Sequence, residues 1–153
     1  GADKHFRYGP IGLNLNSFSN NLYKSIISGQ DFKIFGNDHK TLDGTPVRDF
    51  IHVDDLANIH FESLKYLIKN KENQICNCGY GKGYSIEQVI KTLLKSKEMN
   101  LNYSFSKKRP GDISYMVADT KKLNRILNWK PKYSNLKKMI FSELRWRKKL
   151  TNN

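Results

Sequence analysis

Apolar residues recur along this chain with two different periods, and the switches between them divide it into short elements. Phe18, Leu22, Ile26 and Ile27 follow Ser17 at helical spacing and stop at Gly29, which predicts a helix over 17–28. Phe32-Lys33-Ile34-Phe35 reads as a short strand closed by Gly36-Asn37-Asp38. Residues 37–46 form a polar loop with a turn signal at Asp43-Gly44. Val47 to Val53 alternates as a strand. Asp54 then caps a helix that carries Leu56, Ile59, Leu64, Leu67 and Ile68 on one side. Gln74 to Cys78 is a further strand, Gly79, Gly81 and Gly83 make a loop, and Ser85-Ile86-Glu87-Gln88 is a capping box opening the helix Val89–Lys97. Leu101 to Phe105 alternates as a strand. Asp119 or Thr120 caps a short helix through Leu127, Trp129-Lys130-Pro131 breaks it, and Ser134 caps a last helix to about Lys149. Residues 1–16, rich in Gly, Pro and Asn, have no period and read as a loop. This order of elements, with no internal repeat, predicts one small mixed α/β (α+β) domain spanning 1–153.

Composition changes that picture little. With 38% hydrophobic and 27% charged residues the 153-residue chain is globular but polar. A chain of this size can bury roughly 70% of its unfolded surface. No stretch approaches the roughly 18 apolar residues of a membrane span. The start, Gly1-Ala2-Asp3-Lys4, has no apolar run behind it and does not read as a signal peptide. Cys76 and Cys78 have no second Cys or His pair to complete a zinc set, so they read as reduced cytosolic thiols in a buried strand. The net charge of +13 raises the question of nucleic acid. The basic residues, mostly Lys, are spread along the whole chain and form no single basic face, which argues against it.

Few segments can carry chemistry. Gly79-x-Gly81-x-Gly83 sits between a strand and a helix, but Tyr84 stands where a dinucleotide fingerprint needs its third glycine. No acidic residue ends a following strand about 20 residues on. A strand-to-helix turn is the better reading, though its amides could still line a pocket. Tyr103-x-x-x-Lys107 matches the Tyr/Lys pair of short-chain dehydrogenases by letter only. A helix brings such residues to one face about 6 Å apart, whereas a strand separates them by about 13 Å. Arg48 opens a strand after a polar loop, where a planar guanidinium can grip two phosphate oxygens; pairing with Asp49 is an equal alternative. His52 reads as a hydrogen-bonded structural histidine. Arg109-Pro110-Gly111-Asp112 presents a cation and a carboxylate on a stiff loop after a strand, suited to a phosphate and a ribose hydroxyl.

Taken in order, these pieces resemble one family. Ile34-Phe35-Gly36-Asn37-Asp38 followed by Thr41-Leu42-Asp43-Gly44-Thr45-Pro46-Val47-Arg48-Asp49-Phe50-Ile51-His52-Val53-Asp54-Asp55-Leu56-Ala57 is similar to the signature stretch of UDP-glucose (UDP-galactose) 4-epimerases, within the extended short-chain dehydrogenase superfamily. Asn77 to Ser85, Arg109 to Asp112, Ala118-Asp119 and Leu127 to Pro131 follow with family spacing. The Thr-Leu-Asp-Gly-Thr loop argues for this branch over a dehydratase or another epimerase.

The resemblance implies the C-terminal, substrate-binding domain of such an enzyme, lacking the N-terminal Rossmann domain. It implies a UDP-sugar pocket in which Asn21 and Leu22 hold the pyrophosphate and uridine side. Phe35 flanks the uracil, Arg48 and Arg109 bind the diphosphate, Asp112 binds the ribose and Ile86 lines the wall. Phe50 stands where many relatives have Tyr, and Met116 falls where relatives gate the sugar near C2. C4 inversion would need NAD, a catalytic Tyr and a Lys in the missing N-terminal half. The chain alone is therefore expected to be inactive, cytoplasmic and free of membrane. It is expected to self-associate as a homo-oligomer through an apolar patch around Phe50, Leu56 and Ile59. A non-catalytic nucleotide-sugar or nucleic-acid binding module is the rival from another class.

Overall fold

Ser17 does open a helix: its hydroxyl accepts from the Asn20 backbone N–H, and Gly29 ends the helix in the left-handed region at φ 69°. The computed structural model describes residues 1–11 and 17–151, so the expected loop over 1–16 lies partly outside the described residues. The elements, in chain order, are α1 (Phe18–Ser28), β1 (Phe32–Phe35), β2 (Val47–Asp49), α2 (Val53–Asn70), β3 (Gly83–Ser85), α3 (Ile86–Leu94), β4 (Tyr103–Ser106), β5 (Tyr115–Met116), α4 (Lys121–Ile126) and α5 (Leu136–Thr151). The mixed α/β class read from the periodicity holds.

The strands form two small sheets. β1 runs parallel to β4, from Phe32 opposite Tyr103 to Phe35 opposite Ser106. In the second sheet β2 is central, antiparallel to β3 and parallel to β5, with Arg48 opposite both Tyr84 and Met116. α1, α3 and α5 pack on the first sheet. Leu22, Tyr23, Phe32, Ile34, Ile90, Leu93, Leu101 and Leu144 make one buried cluster there. Burying each such side chain contributes about 1.5–3 kcal/mol, which is what holds the helices to the sheet. A second cluster joins Ile59 of α2 to Leu123, Leu127 and Trp129.

Several boundaries differ from expectation, each for a local reason. Gln74–Cys78 is extended but makes no ladder: among the described residues no backbone–backbone hydrogen bond involves 72–79, and Ile75 is 90% exposed. A strand needs a neighbouring edge, and no described strand offers one here. The capping residue of α2 is His52 rather than Asp54, its Nδ1 accepting from the Asp54 N–H at 3.1 Å. β2 stops at Asp49 instead of Val53 because the chain is already turning into that cap. Asn135, not Ser134, caps α5, its Oδ1 accepting from the Lys138 N–H at 3.0 Å. The capping box of α3 is present as read, with Ser85 and Gln88 bonding each other's backbone N–H. The helix begins three residues earlier than expected, at Ile86.

The apolar side of α2 divides in two. Ile59 is buried and Leu56 and Phe50 are half-buried, so they do not form the exposed patch expected of them. Phe61, Leu64, Leu67 and Ile68 do, each at least 40% exposed.

Candidate functional site

The site is assembled around the loop 37–46. Gly44 has φ 76°, and a Cβ there would fall 2.1 Å from the Asn37 carbonyl oxygen, so only glycine closes this turn. The Asp43 carboxylate accepts from the Thr45 N–H at 2.9 Å, the Thr45 hydroxyl at 2.8 Å, and the Ser85 hydroxyl. Burial pushes the Asp43 carboxyl up, but these donors outweigh it and leave it below the ordinary value. The Thr41 hydroxyl donates to the Thr45 carbonyl at 2.7 Å, and fully buried Thr45 accepts from the Glu87 N–H. The Thr-Leu-Asp-Gly-Thr sequence is therefore a self-bonded knot. It fixes where β2 begins and where α3 starts.

Arg48 follows that knot and points into a cleft of about 440 Å³ between α1, β1, the start of α3 and the 109–112 loop. Six of the nine site residues expected from sequence line it: Asn21, Phe35, Arg48, Ile86, Arg109 and Asp112. Arg48 Nη2 donates to Asp112 Oδ1 at 2.7 Å, while Nη1 donates to the carbonyls of Val47 and Ile113. Its partner is thus Asp112 and not Asp49. The Arg109 guanidinium lies over the Phe35 ring at 3.6 Å from the centroid. Gly111, at φ 77°, sharpens the turn, and the Asp112 N–H donates to the Arg109 carbonyl.

Three expected residues lie elsewhere. Leu22 is 1% exposed in the core, so its side chain does not reach the cleft. Phe50 packs on Phe18, with ring centroids 5.4 Å apart, and lines a separate apolar cavity of about 210 Å³. Met116 is half exposed and borders a depression on the other side of Arg48, with Asp49, Cys76 and Cys78. Conversely, Lys24 and Lys33 line the cleft and were missed. Both had a signal: Lys24 lies three residues beyond Asn21 on one helix face, and Lys33 shares the face of Phe35 on its strand. Four cations against Asp31 and Asp112 make the lining of this cleft basic.

The remaining polar residues are structural. Asp49 accepts from the N–H groups of Tyr80, Gly81 and Ala118, so two amides of the glycine turn are already engaged within the protein. Buried Asp55 accepts from the Tyr80 hydroxyl at 2.6 Å and from the N–H groups of Lys132 and Tyr133. Burial, then that hydroxyl–carboxylate bond, push the Tyr80 phenol up. His52 caps α2, meets the Ser142 hydroxyl and stacks on Tyr133. Burial lowers its pKa. Tyr103 lies in β4, which ends at Ser106 before Lys107, so the two share no helix face. Among the described residues no group of three His, Cys, Asp or Glu is arranged for a metal, and no helix is long and apolar enough to cross a membrane.

Residues 7–79 match the model of the NAD dependent epimerase/dehydratase family. The chain is 37% identical over 129 residues to the UDP-glucose 4-epimerase of Lactobacillus helveticus, covering 84% of this chain and 39% of that one. A solved UDP-glucose 4-epimerase superposes with a TM-score of 0.91 at 29% identity, over all of this chain and 47% of that structure. The Bifidobacterium longum UDP-glucose 4-epimerase, solved with NAD+ and UDP, gives a TM-score of 0.81 at 32% identity, over 99% and 45%. The chain thus spans less than half the length of each.

Proposed function

We propose that this chain, which is similar to the C-terminal portion of UDP-glucose 4-epimerases and matches the NAD dependent epimerase/dehydratase family over residues 7–79, is the UDP-sugar-binding part of such an enzyme. The observation that carries this reading is the meeting of Arg48, Arg109, Phe35 and Asp112 in one cleft. Two guanidinium groups suit a diphosphate, since charge-assisted hydrogen bonds are roughly twice as strong as neutral ones. Phe35 offers a ring face to the base, Asp112 accepts from the ribose hydroxyls, and Asn21 and Ile86 close the walls. Lys24 and Lys33 add positive potential at the entrance. Leu22 supports α1 from the core, and Phe50 backs Phe18.

The intact enzyme would invert C4 by oxidation and re-reduction with NAD, the chemistry a nicotinamide supplies. The described residues do not fit that cofactor: the glycine-rich turn read as strand-to-helix instead follows an unpaired segment and leads into β3, is held by Asp49 and lacks its third glycine. Nor do Tyr103 and Lys107 form a base. The NAD site and the catalytic Tyr and Lys therefore belong, in this reading, to the portion of the relatives that this chain does not span. That portion is its main partner. The protein works in the cytoplasm on a soluble nucleotide sugar.

The test is calorimetric titration of the chain with UDP, alongside an assay with NAD and UDP-galactose. Weak UDP binding without UDP-glucose formation is expected. Absence of any UDP binding rejects the cleft assignment, and turnover by the chain alone rejects the division of labour.

A further inference from the structure

Arg48 is not an open receptor for anions. Its Nη1 donates to Val47 O at 2.8 Å and Ile113 O at 2.7 Å, and its Nη2 donates to Asp112 Oδ1 at 2.7 Å. Both side chains are only 22% exposed, so water screens the pair incompletely. An incoming phosphate must replace a carboxylate already in place. It then shares the cleft with the carboxylate it displaced, and like charges at such range repel. The two ends of the pair are unequally fixed. Arg48 keeps its two carbonyl acceptors whatever happens at Nη2, so the guanidinium stays where it is. Asp112 has its backbone fixed in the turn closed by its N–H on Arg109 O, while Arg48 is the one hydrogen-bond partner of its carboxylate among the described residues, so nothing else ties the side chain down once Arg48 is given up.

We infer that Asp112 is a selectivity latch: a ligand opens it by exchanging both partners at once, a phosphate for Asp112 at Arg48 and a vicinal diol for Arg48 at Asp112. This rests on the reading of the cleft as a UDP-sugar site and adds to it a reason for discrimination. A diphosphate without ribose strands the carboxylate beside a new anion. A nucleoside without phosphate has no group to take the guanidinium. Only a ligand that joins the two groups, as a nucleoside diphosphate does, leaves both the guanidinium and the carboxylate with a partner. The latch therefore keeps free pyrophosphate, inorganic phosphate and nucleosides out of a basic cleft that would otherwise attract any anion.

The test compares inorganic pyrophosphate, uridine and UDP by calorimetry on the chain and on Asp112→Asn, which keeps the side chain's size and its capacity to bond a diol but removes the charge. Circular dichroism confirms that the variant is folded; neither Arg48 nor Asp112 belongs to a hydrophobic core cluster. Pyrophosphate should bind Asp112→Asn about tenfold more tightly than the parent chain, the scale of one released charge-assisted hydrogen bond. UDP affinity should change less, so the preference for UDP over pyrophosphate narrows. Pyrophosphate binding that is unchanged or weaker in Asp112→Asn, with UDP still binding the parent, overturns the latch and leaves the cleft assignment standing. A parent chain that binds neither UDP nor pyrophosphate overturns both.

Discussion

The guanidinium of Arg109 lies 3.6 Å from the centre of the Phe35 ring, and both residues line the cleft. The two residues are 74 positions apart, and the parallel pairing of β1 with β4 brings them together, since Phe35 ends one strand and the loop carrying Arg109 follows the other. A cation stacked on an exposed ring is stabilised by about 0.5–1 kcal/mol, less than a guanidinium gains from a diphosphate. In the proposed site, Arg109 would thus be held near the diphosphate by a contact weak enough to give up.

For the two arginines, single replacements Arg48→Ala and Arg109→Ala are each expected to weaken UDP binding by about 1–3 kcal/mol, the range for hydrogen bonds to charged groups. Calorimetry reads this directly. UDP binding unaltered by both substitutions removes the arginines from the site.

Gly44→Ala tests the knot that positions Arg48. The backbone there is at φ 76° and the added Cβ meets a backbone carbonyl, which cannot move aside as a flexible side chain could. Strain of this kind costs of order 1–3 kcal/mol. Denaturant unfolding should show that loss. UDP affinity should fall as well, because Asp43 and Thr45 set the register of β2 and α3. Equal stability of variant and parent would show that the loop is not the anchor described.

His52 makes a pH prediction. Its folded pKa lies below the ordinary imidazole value of 6.5, burial being the main cause and the nearby N-terminal ammonium the next; Asp54, Asp55 and Glu143 oppose the shift without reversing it. The unfolded chain therefore takes up a proton first. The contribution of neutral His52 is whole above pH 6.5 and is lost as pH falls below it toward the folded pKa. Unfolding followed at pH 7.5 and about 5.5 should show this mild-acid loss in the parent, and a smaller one in His52→Gln. An identical loss in both assigns it to other groups.

On α2, the apolar residues Phe61, Leu64, Leu67 and Ile68 lie exposed, beside the unpaired extended segment around Ile75. Together they make an exposed patch on the order of a few hundred Å², the size that on soluble proteins often marks an interaction site. We propose that this face meets the remaining portion of the enzyme and that the chain by itself associates through it. Light scattering should give a mass above the monomer's 17.8 kDa, restored to the monomer by Leu64→Glu with Ile68→Glu. A clean monomer of the parent chain at high concentration contradicts this.

Met116 sits opposite Arg48 in the β2–β5 register and is half exposed, beyond the cleft that would hold the nucleotide. A sugar extending past Arg48 would meet it. Met is bulky yet flexible, so it is expected to disfavour an N-acetyl group by about 1–3 kcal/mol. Once the chain is joined to a cofactor-binding half, Met116→Ser should raise turnover of UDP-N-acetylglucosamine and leave UDP-galactose nearly unchanged. The same substrate ratio in both proteins removes Met116 from the gate.

Local signals settled most elements. Ser17 and Gly29 bound α1, Ser85 and Gln88 open α3, and Asp43-Gly44 marks the knot, because caps and left-handed turns depend on residues a few positions apart. The same locality made Arg48, Arg109 and Asp112 visible as charged residues at the ends of strands. What the sequence could not decide was partnership. Arg48 has Asp49 beside it in the chain and chooses Asp112, 64 residues away, because β2 and β5 run parallel and carry the 109–113 loop to its guanidinium. Leu22, one residue from Asn21, faces the core rather than the cleft, since successive helical positions lie about 100° apart. Gln74–Cys78 has the alternation of a strand and lacks an edge to pair with, and a strand is completed by its neighbour, not by its own pattern. Periodicity and capping are written in adjacent residues. Which charges meet, and which faces stay open, is set by strand pairing across the whole domain, where distance along the chain carries no information.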